Sequence, residues 1–458
     1  MRVLLVSANI TTSPYAVYPI GMSIVARALT RAGHEVRQYD TLMQDNSLDA
    51  LAAEIELFRP ELVGISVRNI DNTNLLNEQY YIGNVKNIVA KVRSVSPAMV
   101  LLGGAGFSLI PDLILRETGA DYGIVGEAEV SVVEFVANVS RGIYPVERLI
   151  GPAEKVEGIN IVSALYDPRV MEFYLKSGNI ASIQTKRGCS STCIYCTYPL
   201  LEGTSVRPRD PASVVDDMEL LYHTHKAKLI FFVDSVFNDD EGAYLDLVRE
   251  MLRRNSTIPW TAFIKPKNLS ASVVKQMKDA GLVAVEIGSD ASTDTTLQRL
   301  GKSFTFQEIA ECNDLFIEHG VAASHFFMFG GPGETPDTVR EGIENIKQLK
   351  KCVKFIFQGI RILPNTPLAR LAVQEQMIAP DDGLLNPTYY LSPATERDWL
   401  ERTLTEAFAK TRDCMFPPDA MENSLRILHK LGYSGALWDL LVPEKGAGRK
   451  GRRRHVPQ

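Results

Sequence analysis

At 458 residues the chain is too long for one ordinary hydrophobic core, so two or three domains are expected, and its 45% hydrophobic, 23% charged and 8% aromatic content is that of a globular protein. A formal net charge of −6 argues against a general nucleic-acid binder, whose affinity comes from neutralising phosphates. No apolar run approaches the roughly 20 residues that span a bilayer, and "MRVLLVSANITTSP" lacks the extended apolar core of a signal peptide, so no transmembrane segment is expected.

Residues 1–140 alternate short apolar runs with amphipathic stretches. The runs are "RVLLVSA" (2–8), "HEVRQYD" (34–40), "ELVGISV" (61–67), "MVLLGGA" (99–105) and "DYGIVGE" (121–127), separated by helical patterns such as "GMSIVARALTRAG" and "LDALAAEIELF". Strands spaced by helices of this length predict an α/β, doubly wound (Rossmann-like) domain with a parallel sheet, and ligands there sit outside the carboxyl ends of the strands. Residues 141–178 are less periodic and read as a connector. Residues 179–375 carry a second α/β series, with strands predicted at 181–187, 228–234, 260–266, 283–289, 323–330 and 354–362. Six βα units imply a partial barrel with its site at the carboxyl ends of the strands. Residues 376–445 read as mostly helical with proline-broken loops, and the amphipathic "MENSLRILHKLGYSGALWDLLV" is expected to pack. The basic tail 446–458 reads as disordered.

"TKRGCSSTCIYCTYPLL" (185–201) places three of six cysteines within eight residues, in the spacing C-x3-C-x2-C, directly after the first strand of the second series. Clustered thiols in a long chain point to metal ligation in a reducing compartment, and so to a cytoplasmic protein. Three thiolates cannot close a tetrahedral zinc site; His223 or His225 would have to supply a fourth ligand from a helical stretch. Packed core cysteines have no reason to cluster. A [4Fe–4S] cluster held by three cysteines keeps one iron with an open position, where a substrate or cofactor binds. Cys312, Cys352 and Cys414 are scattered and read as free buried thiols.

Cys189, Cys193 and Cys196, with Tyr195 before the last cysteine, resemble the radical S-adenosylmethionine (SAM) superfamily. The resemblance implies that these cysteines ligate a [4Fe–4S] cluster whose open iron chelates SAM, and that an electron from the cluster cleaves SAM to a 5′-deoxyadenosyl radical. It also implies a flavodoxin- or ferredoxin-like electron donor. "FVDSVFN" (232–238) is similar to the family's second-strand acidic segment, making Asp234 and Ser235 candidates to contact SAM. "EIGSDASTDTTLQRLGK" (286–302) resembles its fourth-strand segment, with Glu286, Gly288 and Ser289 as candidates and Asp290 where glutamate is common. "FMFGGPGETPDT" (327–338) resembles the fifth-strand loop, read equally well as turn and helix-cap chemistry. "IRILPNTPL" (360–368) is similar to the sixth strand, where Ile362 packs either on adenine or in the core.

A parallel-sheet domain ahead of such a barrel resembles the cobalamin-binding branch of that superfamily. By this resemblance the corrin rests on the loops after strands three, four and five, with Asn69, Asp71, Asn72, Gly103, Gly104, Gly126 and Glu127 as candidate contacts. The D-x-H-x-x-G motif is absent. His34 is the only histidine before residue 223 and begins a strand, so no histidine is expected beneath the cobalt, whose lower face would meet the Asn69–Asn74 loop, water or nothing. A nicotinamide site would want G-x-G-x-x-G, which "GGAGFS" does not fit; flavin or a receiver-like domain stays open from the sheet alone. The resulting expectation is a cobalamin-dependent radical SAM methyltransferase acting at an unactivated carbon of a small-molecule or lipid substrate. The alternatives are a radical C–C bond-forming, cyclising or ring-rearranging enzyme, and a non-catalytic iron–sulfur scaffold.

Overall fold

The computed structural model describes residues 1–431 except 13–15, 152–153, 177 and 421, together with 433, 435 and 437. The basic tail and most of the segment after 431 lie outside the described residues. Strands β1 (Arg2–Ser7), β2 (Glu35–Asp40), β3 (Leu62–Ser66), β4 (Met99–Gly103), β5 (Tyr122–Ile124) and β6 (Leu149–Ile150) form a parallel sheet in the order β2-β1-β3-β4-β5-β6. Near-continuous burial along β1 (Val3 to Ser7) reflects helices on both faces. The expected strands are all present. β6 lies in the stretch read as a connector; a two-residue strand is too short for any periodicity to show it.

The second sheet contains β7 (Ile180–Ile183), β10 (Leu229–Phe232), β11 (Trp260–Ile264), β12 (Leu282–Asp290), β13 (Ala322–Phe329) and β14 (Cys352–Gln358), all parallel and adjacent in chain order, with β17 (Cys414–Met415) added at the β14 edge. Two small antiparallel pairs flank it: β8 (Lys186–Arg187) with β9 (Arg207–Pro208), and β15 (Ile360–Arg361) with β16 (Tyr389–Tyr390). The six-strand partial barrel is thus present. Its seventh, edge strand comes from the region expected to be mostly helical, which also holds β16 besides helices Arg397–Phe408 and Glu422–Lys430.

Alternation assigns the two faces of each barrel strand. On β12, Val285 and Ile287 join the main core beneath the helices, while Ala284 packs with Val353, Phe355 and Met415 inside the curve. That main core runs on into the first domain through Ala16, Tyr18 and Ile24. The rings of Tyr166 and Tyr174 each lie 5.6 Å from Tyr18. Tyr174 belongs to helix Pro168–Lys176, and its hydroxyl donates to Asp40 at 2.8 Å, tying the linking segment to the end of β2.

The carboxyl edges of the two sheets face each other. Glu127, after β5, pairs with Arg187 at 3.0 Å and with Arg207. Arg187 also reaches Glu129 at 2.5 Å. Asp71, after β3, pairs with Arg361 at 2.7 Å, both side chains being buried. Helix Ala105–Leu109, after β4, packs on helix Tyr198–Glu202, which follows the cysteine loop.

Candidate functional site

The loop leaving β8 carries the three cysteines over the open end of the barrel. Its backbone is pinned: the Cys189 N–H donates to Gly203 O at 3.1 Å, Cys196 N–H to Cys193 O at 3.2 Å, and Ile194 N–H to Leu300 O at 3.0 Å. Gly301 has φ +76°, and a Cβ there would lie 2.5 Å from the Thr192 carbonyl oxygen, so the close approach of the 300–302 segment to the loop requires glycine. Burial raises the Cys193 thiol, and pushes Cys196 up to about 12, with neighbouring cysteine thiolates adding like-charge repulsion. Three desolvated thiols within electrostatic reach of one another suit a cationic iron centre, which would deprotonate them on binding.

Among the described residues no three His, Cys, Asp or Glu side chains converge as a group on a single ion. A zinc site needs that convergence, at about 2.3 Å per thiolate. A cluster does not, because each thiolate meets a different iron. The stretch Leu220–Thr224, with His223, ends just before β10 and so lies at the opposite, amino-terminal end of the strands.

Around this loop the predicted residues sort by where their atoms go. Tyr195 is half-buried, its hydroxyl accepting from Lys302 Nζ at 3.0 Å. Ser235 donates to Gly188 O at 3.3 Å, beside the first cysteine. Asp234 is buried, and its oxygens accept from the Thr185 N–H at 2.7 Å, the Lys186 N–H at 3.2 Å and the Thr185 hydroxyl. It braces the turn that launches the cysteine loop. Burial raises its pKa, opposed by the Lys186 charge and these donors.

Glu286 and Gly288 share the face of β12 that looks into the barrel. Ser289 does not. Its hydroxyl meets His325 Nδ1 at 2.8 Å, and His325 Nε2 meets Asn313 of helix Phe306–Glu318 at 3.2 Å, so Ser289 is turned outward into the helical layer and is fully buried there. Ile362 likewise exposes none of its surface and packs in the main core, which leaves no face for adenine.

In the first domain, Asn69 is exposed at the facing edge, and Gly103, Gly104 and Gly126 are half-buried beside it. Gly104 has φ +103°, and a Cβ there would lie 2.6 Å from Val67 O, so the loops after β3 and β4 pack backbone to backbone. Gly126 N–H donates to Ser108 Oγ at 2.9 Å.

Three candidates have internal duties instead. Asn72 closes its own loop, accepting from Gln79 N–H at 3.0 Å and donating to Asn77 O at 2.7 Å. Asp71 is spent on Arg361 and Glu127 on the arginine pair. Burial opposes ionisation of Glu127, but the Arg207 hydrogen bond and the Arg187 charge outweigh it and hold the carboxyl below its usual range. His34 lies at the far, amino-terminal edge of the sheet, its Nδ1 3.4 Å from the chain's amino terminus.

Several site residues escaped the sequence reading. Tyr198, on the helix that packs against Ala105–Leu109, keeps 40% of its surface accessible, and desolvation pushes its hydroxyl up to about 12. Glu202 accepts from the Gly188 N–H at 3.1 Å and from Gln184 at 3.1 Å, and burial raises its pKa. Glu334 binds the N–H groups of Gly330 and Gly331, the latter at 3.1 Å, at the end of β13. Lys302 is buried against Asp290. Glu334 lies inside the quoted fifth-strand loop, where turn chemistry alone accounts for it, while Glu202 and Lys302 act through contacts 12 or more residues away that no spacing rule singles out.

The B12 binding domain family matches residues 6–136 and the radical SAM superfamily matches residues 183–346. An uncharacterized methyltransferase of Pyrococcus horikoshii is 26% identical over 356 residues, 74% of either chain. The tryptophan 2-C-methyltransferase of Streptomyces laurentii is 24% identical over 451 residues, 81% of this chain and 74% of that one. The structure of a radical SAM methyltransferase, TsrM from Kitasatospora setae, with cobalamin and a [4Fe–4S] cluster bound, superposes with a TM-score of 0.83 at 24% identity, covering 96% of this chain and 97% of that one. This likeness carries the order of the two sheets and the facing of their edges.

Proposed function

Because this chain belongs to the cobalamin-binding branch of the radical SAM superfamily, we propose that it transfers a methyl group to an unactivated carbon of a small molecule or lipid held between its two domains. When bound, the cluster and SAM supply a 5′-deoxyadenosyl radical for hydrogen abstraction, and cobalamin supplies the methyl group. The observation that supports this reading is the facing of the two carboxyl edges, with the cysteine loop on one and the open β3–β4 loops on the other. A substrate between them is approached from both sides, in the kind of interdomain hollow where ligands commonly bind.

The chain's own residues do the positioning. Cys189, Cys193 and Cys196 hold the cluster, Tyr195 and Ser235 support their loop, and Asp234 fixes the turn before it. Glu286 and Gly288 face SAM inside the barrel. Asn69, Gly103, Gly104 and Gly126 form the floor for the corrin. The aromatic ring of Tyr198 closes the hollow from the barrel side, helping to exclude water. A flavodoxin- or ferredoxin-like protein of the cytoplasm delivers the electron.

The test is anaerobic reconstitution with iron, sulfide, cobalamin and dithionite, followed by incubation of a small-molecule cell extract with SAM bearing a deuterated methyl group. The expected result is a deuterated product, with one S-adenosylhomocysteine and one 5′-deoxyadenosine formed per product. Formation of 5′-deoxyadenosine with no labelled product would replace methyl transfer by cyclisation or coupling. Absence of both would leave a scaffold.

A further inference from the structure

A lysine buried beside the cysteine loop needs a reason, because desolvating an ammonium is costly unless it is compensated. Lys302 follows helix Asp294–Arg299 and its side chain is 7% exposed. Its ammonium is bound to the Asp290 carboxylate, donates to Tyr195 Oη at 3.0 Å, and lies 5.3 Å from the Tyr195 ring centroid and 5.8 Å from that of Phe304. Tyr195 sits between Cys193 and Cys196 in the chain, so these contacts place the ammonium beside the ligand loop. The backbone fixes this approach: besides the Ile194–Leu300 bond, Thr192 Oγ1 donates to Gly301 O at 3.3 Å.

Asp290 pays in backbone strain for its place, with φ +62° at the end of β12, a conformation that Asp and Asn tolerate better than most residues. The result is a buried ion pair fixed against the cysteine loop through Tyr195. A cluster held by three thiolates is a buried anion, and one-electron reduction makes it more negative. Nearby charge and hydrogen bonds to the sulfurs set its potential.

We infer that Lys302, fixed by Asp290, is a positioning residue that holds a buried positive charge against the cysteine loop, raising the cluster's reduction potential into the range a cellular donor reaches. The inference rests on the proposed cluster assignment, and a readout of potential separates the two. The experiment is an EPR-monitored redox titration of anaerobically reconstituted protein, without turnover. Lys302→Met removes the positive charge and is expected to lower the midpoint by at least tenfold in the reduction equilibrium, 59 mV for one electron. Asp290→Asn keeps the left-handed backbone but removes the opposing charge, and is expected to raise the midpoint. Lys302→Arg is expected to stay within tenfold of the wild type.

A merely structural role would move Lys302→Met and Asp290→Asn the same way, or neither beyond tenfold, and either outcome overturns the inference. Should Lys302→Met fail to load a cluster, Asp290→Asn decides: a midpoint at or below the wild type overturns it. Wild-type protein that binds no iron or sulfide would sink the cysteine assignment instead.

Discussion

Cys189, Cys193 and Cys196 stand apart from Cys312 and Cys352 in a way that is measurable. The first three share one pinned loop, whereas Cys312 and Cys352 are buried singly in the main core. Alanine at any of the three is expected to abolish iron and sulfide retention after anaerobic reconstitution, while alanine at Cys312 or Cys352 leaves it intact; iron and sulfide assay on desalted protein checks this. Glu334 gives a pH signature of its own. Burial, partly offset by the Gly330 and Gly331 N–H groups, raises its pKa from 4.5 to about 7. The folded protein therefore binds this proton more tightly than the unfolded chain. The resulting stability is complete below pH about 4.5 and is lost as pH rises to about 7, a change of up to about 3 kcal/mol. Glu334→Gln cannot titrate, so urea midpoints of the variant should fall less across that window than those of the wild type. At this scale the sequence was legible where spacing carries chemistry, as in the cysteine trio. It was silent on Glu202 and Lys302, whose partners lie 12 or more residues away in the chain, and it flagged the loop of Glu334 without its burial.

β12 shows why elements were easier to find than to orient. "LVAVEIGSD" is a parallel strand with helices on one side and the barrel interior on the other, so its apolar and polar residues do not alternate cleanly, and a strand of that kind does not declare which residues look inward. Glu286 and Gly288 turned in, while Ser289 turned out to His325. The short β6, β16 and β17 lie below the length at which alternation can be read. Loops were legible where their residue types left one choice. Gly104 is such a position, since φ +103° and the Val67 carbonyl at 2.6 Å exclude any side chain. Gly104→Ala is expected to cost more than about 1 kcal/mol in urea unfolding and to weaken hydroxocobalamin binding followed by visible absorbance, because the floor between β3 and β4 must open.

The whole molecule depends on how the two sheets are joined. Both sheets were legible from strand spacing, but their relative placement was not, because it rests on Glu127, Glu129, Arg187 and Arg207, charges that read in sequence like any solvated residues. Arg187→Met is expected to destabilise the protein by about 3–5 kcal/mol, since it strips Glu129 of the guanidinium beside it and Glu127 of one of two. A lowered urea midpoint measures this, and an unchanged midpoint would show the seam to be held by packing alone. Surface ion pairs loosen as electrolyte rises, whereas these charges have been removed from solvent and feel little of that screening. The distance between the cysteine loop and the loops of the first domain is thereby kept constant in dilute and in concentrated brine alike, like a caliper locked at a single opening.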